Sequence, residues 1–262
     1  MTLDDLRRTR DGETPPEQAR QQAMVAIVER IAACGAPFVL RGGFLTRAWV
    51  SPLPRPARVL ELAGDFAFDV EATERHVRAA IAVPGAPRLA LRTARPIWLH
   101  TAFPGVHVEL AVDGVVVDLD VGFRDPIVPA AVTWTCGVRA LRPETQLATT
   151  LRALVERGDA WRPEDLADAW LIATRVALVD AELPAAITAA FESRGQPVTD
   201  VVRLLDDAAA DDDGVRSGGP LRSERWATKA AWVRWANLRG LPLARVINDL
   251  RARLAPVLEA LR

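Results

Sequence analysis

The chain has 262 residues, a formal net charge of −1 and a hydrophobic content of 50%. These values are typical of a folded globular protein and argue against a disordered chain or a broadly basic nucleic-acid-binding protein. Cys34 and Cys136 lie far apart and His76, His100 and His107 are scattered, so the sequence predicts neither a disulfide framework nor a transition-metal site. No apolar run reaches the roughly 18 residues of a membrane span. We therefore expect a cytoplasmic protein with no membrane partner.

Helices and strands alternate in the first half of the chain. The apolar spacing in PPEQARQQAMVAIVERIAACG predicts an amphipathic helix that stops at Gly35. A short buried strand at 37–40, a turn at Gly42-Gly43 and a helix in FLTRAWV follow it. The β-rich run PARVLEL and a second amphipathic helix in DVEATERHVRAAIAV come next.

Residues 88 to 123 have a strong β character. RLALRT, PIWLHTAF, GVHVELAVDG and GVVVDLDVGF each read as a strand. The Asp113-Gly114 pair predicts a tight hairpin between the last two of these strands, because this dipeptide favours two-residue turns.

The second half is predicted to be almost entirely helical, in PETQLATTLRALVERG, RPEDLADAWLIATRVAL and LPAAITAAFESRG. Acidic residues and glycines at 206–220 predict a flexible linker. Two last helices follow, RSERWATKAAWVRWANLRG and LARVINDLRARLAPVLEALR, and we interpret the tryptophans of the first as core residues rather than a nucleic-acid stacking surface. This order predicts an α+β protein with a mixed-sheet domain at 1–138 and a helical domain at 139–262 that share a cleft.

Five segments of the chain resemble the motifs of one protein family and occur in the same order: FVLRGGFLTRAW, RPARVLELAG, VDLDVGFRDPIVP, RPETQLATTLRALVERG and RPEDLADAW. From about residue 20 onward the chain resembles the nucleotidyltransferases typified by the AbiEii abortive-infection toxin, within the polymerase-β-like superfamily. The resemblance implies a nucleotidyltransferase-like mixed sheet followed by a helical domain. It also implies a bacterial protein related to toxin–antitoxin systems.

The resemblance places the three metal-binding acids of the family at Val59, Glu61 and Asp120. Nucleotide transfer in such sites uses two divalent cations held by shared carboxylates, and an isopropyl group supplies no ligand oxygen. We therefore expect two-metal transfer to be lost. Glu61 and Asp120 could still hold a single Mg²⁺, or they could be acids left over in salt bridges, with Asp118 on the same strand face as a partner.

In the helical half, the resemblance places Thr149-Thr150 where the family has a Glu-Lys pair, and Glu164 where it has a motif lysine. Asp165 and Asp168 match the acids of the family motif. An alternative for both is that they only stabilise the start of a helix. Gly42-Gly43 likewise could expose backbone amides to a phosphate or simply turn the chain from strand to helix.

The first hypothesis is a repurposed nucleotidyltransferase fold, whose inter-domain cleft takes another small molecule and needs no cofactor, in a specialised bacterial pathway. The alternative is a toxin-like enzyme that uses one Mg²⁺ to move a nucleoside monophosphate from a triphosphate to tRNA, another RNA or a protein hydroxyl. A third hypothesis is a non-enzymatic binding or immunity module, so catalysis itself stays open. The candidate residues are Glu61, Asp120 and Asp165 for catalysis, and Arg41, Gly42, Gly43 and Asp168 for ligand binding.

Overall fold

The computed structural model describes residues 3–7, 14–50, 57–158, 161–206, 210–211, 214–215 and 243–261. The elements are, in chain order, α1 (Leu3–Arg7), α2 (Pro15–Cys34), β1 (Phe38–Arg41), α3 (Gly42–Trp49), β2 (Val59–Gly64), α4 (Val70–Ala82), β3 (Leu89–Ile97), β4 (Gly105–Val112), β5 (Val115–Gly122), β6 (Val132–Thr133), a 3-10 turn (Thr135–Gly137), β7 (Arg139–Ala140), α5 (Pro143–Arg157), α6 (Pro163–Arg175), α7 (Leu183–Glu192), α8 (Thr199–Asp206), β8 (Ala210–Asp211), β9 (Gly214–Val215) and α9 (Leu243–Ala260).

The chain forms two compact units. The first runs to Asp125 and takes in Ala131–Leu141, and it contains the large sheet. The second consists of Pro126–Ala130 and the residues from Arg142 onward, and it is mainly helical. The α+β class predicted from the sequence is confirmed.

The sheet of the first unit has seven strands in the order β3-β4-β5-β2-β1-β7-β6. The pairs β2–β5 and β1–β7 are parallel, and the other neighbours are antiparallel. On β2, β4 and β5, apolar and polar residues alternate, so one face is buried and carries residues such as Leu60, Val108 and Leu119. The helices α2 and α4 pack together, α2 against β5 and α4 against β3.

The opposite face of the same strands is half-buried and mostly polar. We call it the polar face and define it by five residues that lie in adjacent register positions on three neighbouring strands: Glu61, His107, Glu109, Asp118 and Asp120.

The helix predicted up to Gly35 is confirmed as α2. Its first turn begins at Pro15, and Thr14 and Glu17 form a capping box in which the Glu17 carboxylate accepts the Thr14 N–H at 2.9 Å. Its last turn ends at Gly35, which adopts the left-handed conformation with φ of 64°.

One of the predicted strands is wrong. PIWLHTAF does not form a strand of its own, because β3 continues through Ile97 and the chain then turns at Trp98, where φ is 56°. The Thr101 N–H donates to the Trp98 carbonyl at 2.9 Å and closes this turn. The hairpin predicted at Asp113-Gly114 is confirmed, with φ of 45° and 85° as a type I′ turn requires.

In the second unit, α5, α6 and α7 confirm the predicted helices, and α9 confirms the last one. The helix α5 packs against α6 and α7, and α9 packs against α6. The Trp170 indole N–H donates to Asp249 at 3.1 Å and joins α6 to α9. None of the described helices combines the length and the apolar character needed to cross a membrane.

Two sequence predictions fall largely on residues outside the described ranges. The helix predicted at 222–240, with its tryptophans, lies wholly outside them. Of the linker predicted at 206–220, the structure describes only Asp206, the last residue of α8, and the two-residue strands β8 and β9, which pair with each other.

The buried face of the sheet should carry most of the stability of the first unit. We expect Leu60→Ala, at a fully buried position, to lower the free energy of unfolding by about 2–5 kcal/mol, because it removes packed atoms and leaves a cavity. The matched control is Leu99→Ala, since Leu99 is 62% exposed and its truncation should cost under about 0.5 kcal/mol. Urea titration followed by circular dichroism measures both changes, and equal costs would contradict this assignment of the core.

Candidate active site

The candidate site begins where β1 passes directly into α3. Gly42 has φ of +76°, and an ideal Cβ at this position would lie 1.8 Å from Oε2 of Glu61. Glu61 lies on β2 opposite Arg41. Its Oε2 accepts the Gly43 N–H at 3.2 Å, so a carboxylate of the chain itself occupies the positive end of α3. A glycine is required at position 42 both by the backbone conformation and by this close approach.

Arg41 is held between two carboxylates. Its Nη1 donates to Asp125 Oδ2 at 2.7 Å, and the two side chains are only 16% and 13% exposed. Burial opposes the charge on Arg41, but the charges of Asp125 and Glu61 outweigh it, so the pKa of Arg41 is raised above its usual value. Arg41 therefore stays cationic and is already committed to a partner within its own unit.

Asp120 lies beside Glu61 on the polar face, because β2 and β5 are parallel and these two residues are paired in register. Asp120 Oδ1 lies 2.7 Å from Nδ1 of His107, its neighbour across the β4–β5 ladder. The other ring nitrogen of His107 lies 3.6 Å from Asp118 Oδ1 and 3.9 Å from Glu109 Oε1. The imidazole is thus surrounded by three carboxylates.

The residues on β2 and β5 do not fit the two bridged cations that the resemblance implies. Val59 lies in register with Asp118 and presents an isopropyl group where the first carboxylate is expected. Glu61 is hydrogen-bonded to the start of α3, and Asp120 is bonded to His107. A pair of cations needs carboxylate oxygens shared between them, and Val59 supplies none at the first of these positions.

Asp165 and Asp168 lie on α6 in the second unit. Asp165 is only 13% exposed, accepts hydrogen bonds from Arg162 at 2.9 and 3.1 Å and also pairs with Arg157. Asp168 is 5% exposed. Asp165 thus lies in the first turn of α6 and is paired with two arginines of its own unit.

The threonines that replace the Glu-Lys pair are bonded within their own helix. The Thr149 hydroxyl donates to the Thr145 carbonyl at 2.8 Å, and the Thr150 hydroxyl donates to the Gln146 carbonyl at 2.8 Å. Neither side chain supplies a charge to a ligand.

The structure brings five of the predicted site residues together in the first unit: Arg41, Gly42, Gly43, Glu61 and Asp120. It adds His107, Glu109 and Asp125, which the sequence did not predict. The residues that face each other on β4 and β5 could have been predicted from the sequence. The Asp113-Gly114 turn predicts a two-residue hairpin, and such a hairpin fixes which residues lie opposite each other. Asp125 had no such signal, since it follows the end of β5.

The sequence model of the family described as Nucleotidyl transferase AbiEii toxin, Type IV TA system, matches residues 26–234. The chain belongs to the AbiEii nucleotidyltransferase toxin family. The resemblance expected from the sequence is therefore confirmed. No curated protein is significantly similar to the chain in sequence.

Two crystal structures from Helicobacter pylori share the fold of this AbiEii family member. The JHP933 structure is 16% identical, with a TM-score of 0.55 over 95% of this chain and 94% of JHP933. A protein provisionally assigned as a nucleotidyltransferase is 15% identical, with a TM-score of 0.55 over 95% of this chain and 97% of its own. The nucleotidyltransferase-like fold predicted from the sequence is confirmed by these likenesses.

The contact between Gly42 and Glu61 gives a test of the site in this AbiEii family member. Gly42→Ala should cost about 2–4 kcal/mol, because it combines a strained backbone with displacement of the Glu61 carboxylate from Gly43. Gly114→Ala is the matched control, with φ of +85° and nothing within 4 Å of the added methyl, and should cost about 1–2 kcal/mol.

Urea titration of the two glycine variants, of Glu61→Ala and of the Gly42→Ala/Glu61→Ala double variant completes this test. The costs of the two single changes at 42 and 61 should be strongly non-additive, since they disturb one contact. Additive costs would show that Glu61 does not lie against the start of α3.

Proposed function

We propose that this AbiEii family member no longer carries out two-metal nucleotide transfer and instead uses the polar face of its sheet to bind another small ligand. The observation that supports this most directly is the hydrogen bond from Gly43 N–H to Glu61. Backbone amides at the start of a helix bind phosphate oxygens because they are positive and unpaired. In this chain a carboxylate already takes that place and would repel a phosphate.

The charge of the polar face supports the same proposal. Its carboxylates are Glu61, Glu109, Asp118 and Asp120, and the half-buried Arg41, which lies opposite Glu61, is paired with Asp125. The exposed Arg95 lies opposite His107 on β3 and offsets only part of this charge. Because like charges across an interface oppose binding, the face favours a ligand with a cationic group over a nucleoside triphosphate.

A single-metal transferase is the second candidate. It is favoured by the register between β2 and β5, which places Glu61 and Asp120 side by side on one face. Mg²⁺ commonly takes only one or two protein carboxylates and completes its shell with water and phosphate. This candidate would move a nucleoside monophosphate to an RNA end or a protein hydroxyl, as the family resemblance implies.

Label transfer separates the two candidates. We expect no transfer from any radiolabelled nucleoside triphosphate to bulk tRNA or to the protein with Mg²⁺ or Mn²⁺, because the carboxylates needed for two cations are absent or bonded elsewhere. Gel electrophoresis of the products measures this. The proposal fails if label is transferred and the transfer is lost in Glu61→Gln and Asp120→Asn but kept in Glu71→Gln, a control on the exposed face of α4.

Thermal unfolding with added ligand tests the binding half of the proposal. Spermidine and aliphatic diamines should stabilise the chain, by about 2.7 kcal/mol at roughly 100 times Kd, whereas a triphosphate with Mg²⁺ should not. The stabilisation should be lost in Glu61→Gln/Asp120→Asn and retained in Glu71→Gln. Stabilisation by the triphosphate alone supports the transferase, and stabilisation by neither class of ligand contradicts a cationic ligand and leaves the non-enzymatic module.

A further inference from the structure

We propose that His107, Glu109 and Asp118 bind one divalent transition-metal cation of the Zn²⁺ class. The site lies on β4 and β5, one strand away from the β2 position that the family resemblance assigns to the first two metal ligands. This proposal goes beyond the proposed function, but its ligands lie on the same polar face, where a bound metal ion and an organic cation would exclude one another. It also departs from the sequence prediction, which found the histidines too scattered for a metal site.

The ligand atoms are close enough for one cation. A nitrogen of His107 and one carboxylate oxygen each of Glu109 and Asp118 lie within 4.8 Å of one another. From Nε2 of His107 the distances are 3.6 Å to Asp118 and 3.9 Å to Glu109. Bonds of about 2.0–2.2 Å in a tetrahedral site separate ligand atoms by about 3.3–3.6 Å, so side-chain shifts of under about 1 Å bring the three atoms to one cation, with a water molecule as the fourth ligand.

Asp120 fixes the orientation of the imidazole. Its Oδ1 accepts the hydrogen on Nδ1 of His107 at 2.7 Å, which leaves the lone pair of Nε2 directed toward Asp118 and Glu109. Metal-binding histidines commonly donate their second ring N–H to a carboxylate in this way. Asp120 is therefore a positioning residue for the site rather than a ligand.

The distances from Nε2 of His107 to the two carboxylate oxygens fit ligands of one metal ion better than a direct hydrogen bond. In the tautomer set by Asp120, Nε2 of His107 faces two oxygens that are also acceptors. A hydrogen bond from a protonated Nε2 would need about 2.7–3.2 Å, and the gaps of 3.6 and 3.9 Å exceed that. They are close to the separation of two ligands bonded to the same metal ion.

The site is both held in place and reachable. His107, Glu109 and Asp118 are fixed by the β4–β5 ladder, in which Glu109 and Asp118 are directly opposed. Their side chains are 16%, 32% and 39% exposed, so an ion can enter from solvent. One imidazole and two carboxylates suit a borderline cation such as Zn²⁺ better than Mg²⁺, which prefers oxygen ligands alone.

Isothermal titration of the full chain with Zn²⁺, and with Co²⁺ as a spectroscopic substitute, tests the proposal. We expect one equivalent to bind, with Co²⁺ showing the intense visible bands of a four-coordinate site. His107→Gln, Glu109→Gln and Asp118→Asn should each weaken binding at least 10-fold. Asp120→Asn should weaken it about 10- to 100-fold through the orientation of the ring, and Glu71→Gln and His100→Gln should leave it unchanged.

A second measurement needs no ligand variant and so does not depend on the variants folding. The chain has three histidines, and Mn²⁺ should broaden the NMR signals of the His107 ring while leaving those of His76 and His100 sharp. Signals of the His107 ring that Mn²⁺ does not broaden and Zn²⁺ does not shift would overturn the proposal. So would the absence of stoichiometric binding, or an affinity that none of the three ligand variants alters.

Glu61→Gln distinguishes this site from the position assigned by the resemblance. It should change the Zn²⁺ affinity by less than about 3-fold, the size expected of a substitution away from the ligands. The reason is that Glu61 is bonded to Gly43 and is not a ligand of the proposed site. A loss as large as that of Glu109→Gln would overturn the displaced site. These titrations contain neither nucleotide nor polyamine, so their failure and the failure of the proposed function are separate results.

Discussion

The hydrogen bond between Gly43 N–H and the Glu61 carboxylate is the interaction on which the candidate site depends. It requires glycine at position 42, because a side chain there would meet Glu61, and it places a negative charge at the start of α3. That charge in turn helps to keep Arg41 cationic beside Asp125. The start of α3 is thus an internally satisfied junction between β1, α3 and β2.

The second constraint is the β4–β5 hairpin. Its two-residue turn sets the register of the whole ladder, and with strict alternation this sends one set of residues into the core and the other onto the polar face. Val108 and Leu119 therefore pack beneath the helices, while His107 and Asp120 meet on the opposite side. Because side chains alternate along each strand, the residues that pack the core and the residues of the candidate site lie on opposite faces of the sheet.

The features that the sequence predicts correctly are those that neighbouring residues determine. Helix α2 carries its own capping box and a terminal Gly35, and the Asp113-Gly114 turn is specified by two residues. The error at PIWLHTAF has the opposite cause, since an apolar, aromatic run has β propensity but Trp98 takes a positive φ where β3 ends. The opposition of His107 and Asp120 could have been counted from the turn, since each is the sixth residue outward on its strand. Contacts between distant segments, such as that of Arg41 with Asp125, could not have been found in this way.

The acids of the polar face lie on three neighbouring strands and are not confined to β2. Val59 removes a carboxylate from β2, yet the next strands still present Asp118 and Glu109, with an imidazole between them. Neighbouring strands lie about 4.8 Å apart, so this cluster lies one strand spacing from the position assigned by the resemblance. Carboxylates without a compensating cation repel one another and destabilise the sheet that holds them. A cation bound by His107, Glu109 and Asp118, as proposed above, would relieve that repulsion, while Glu61 on the neighbouring strand stays bonded to the start of α3.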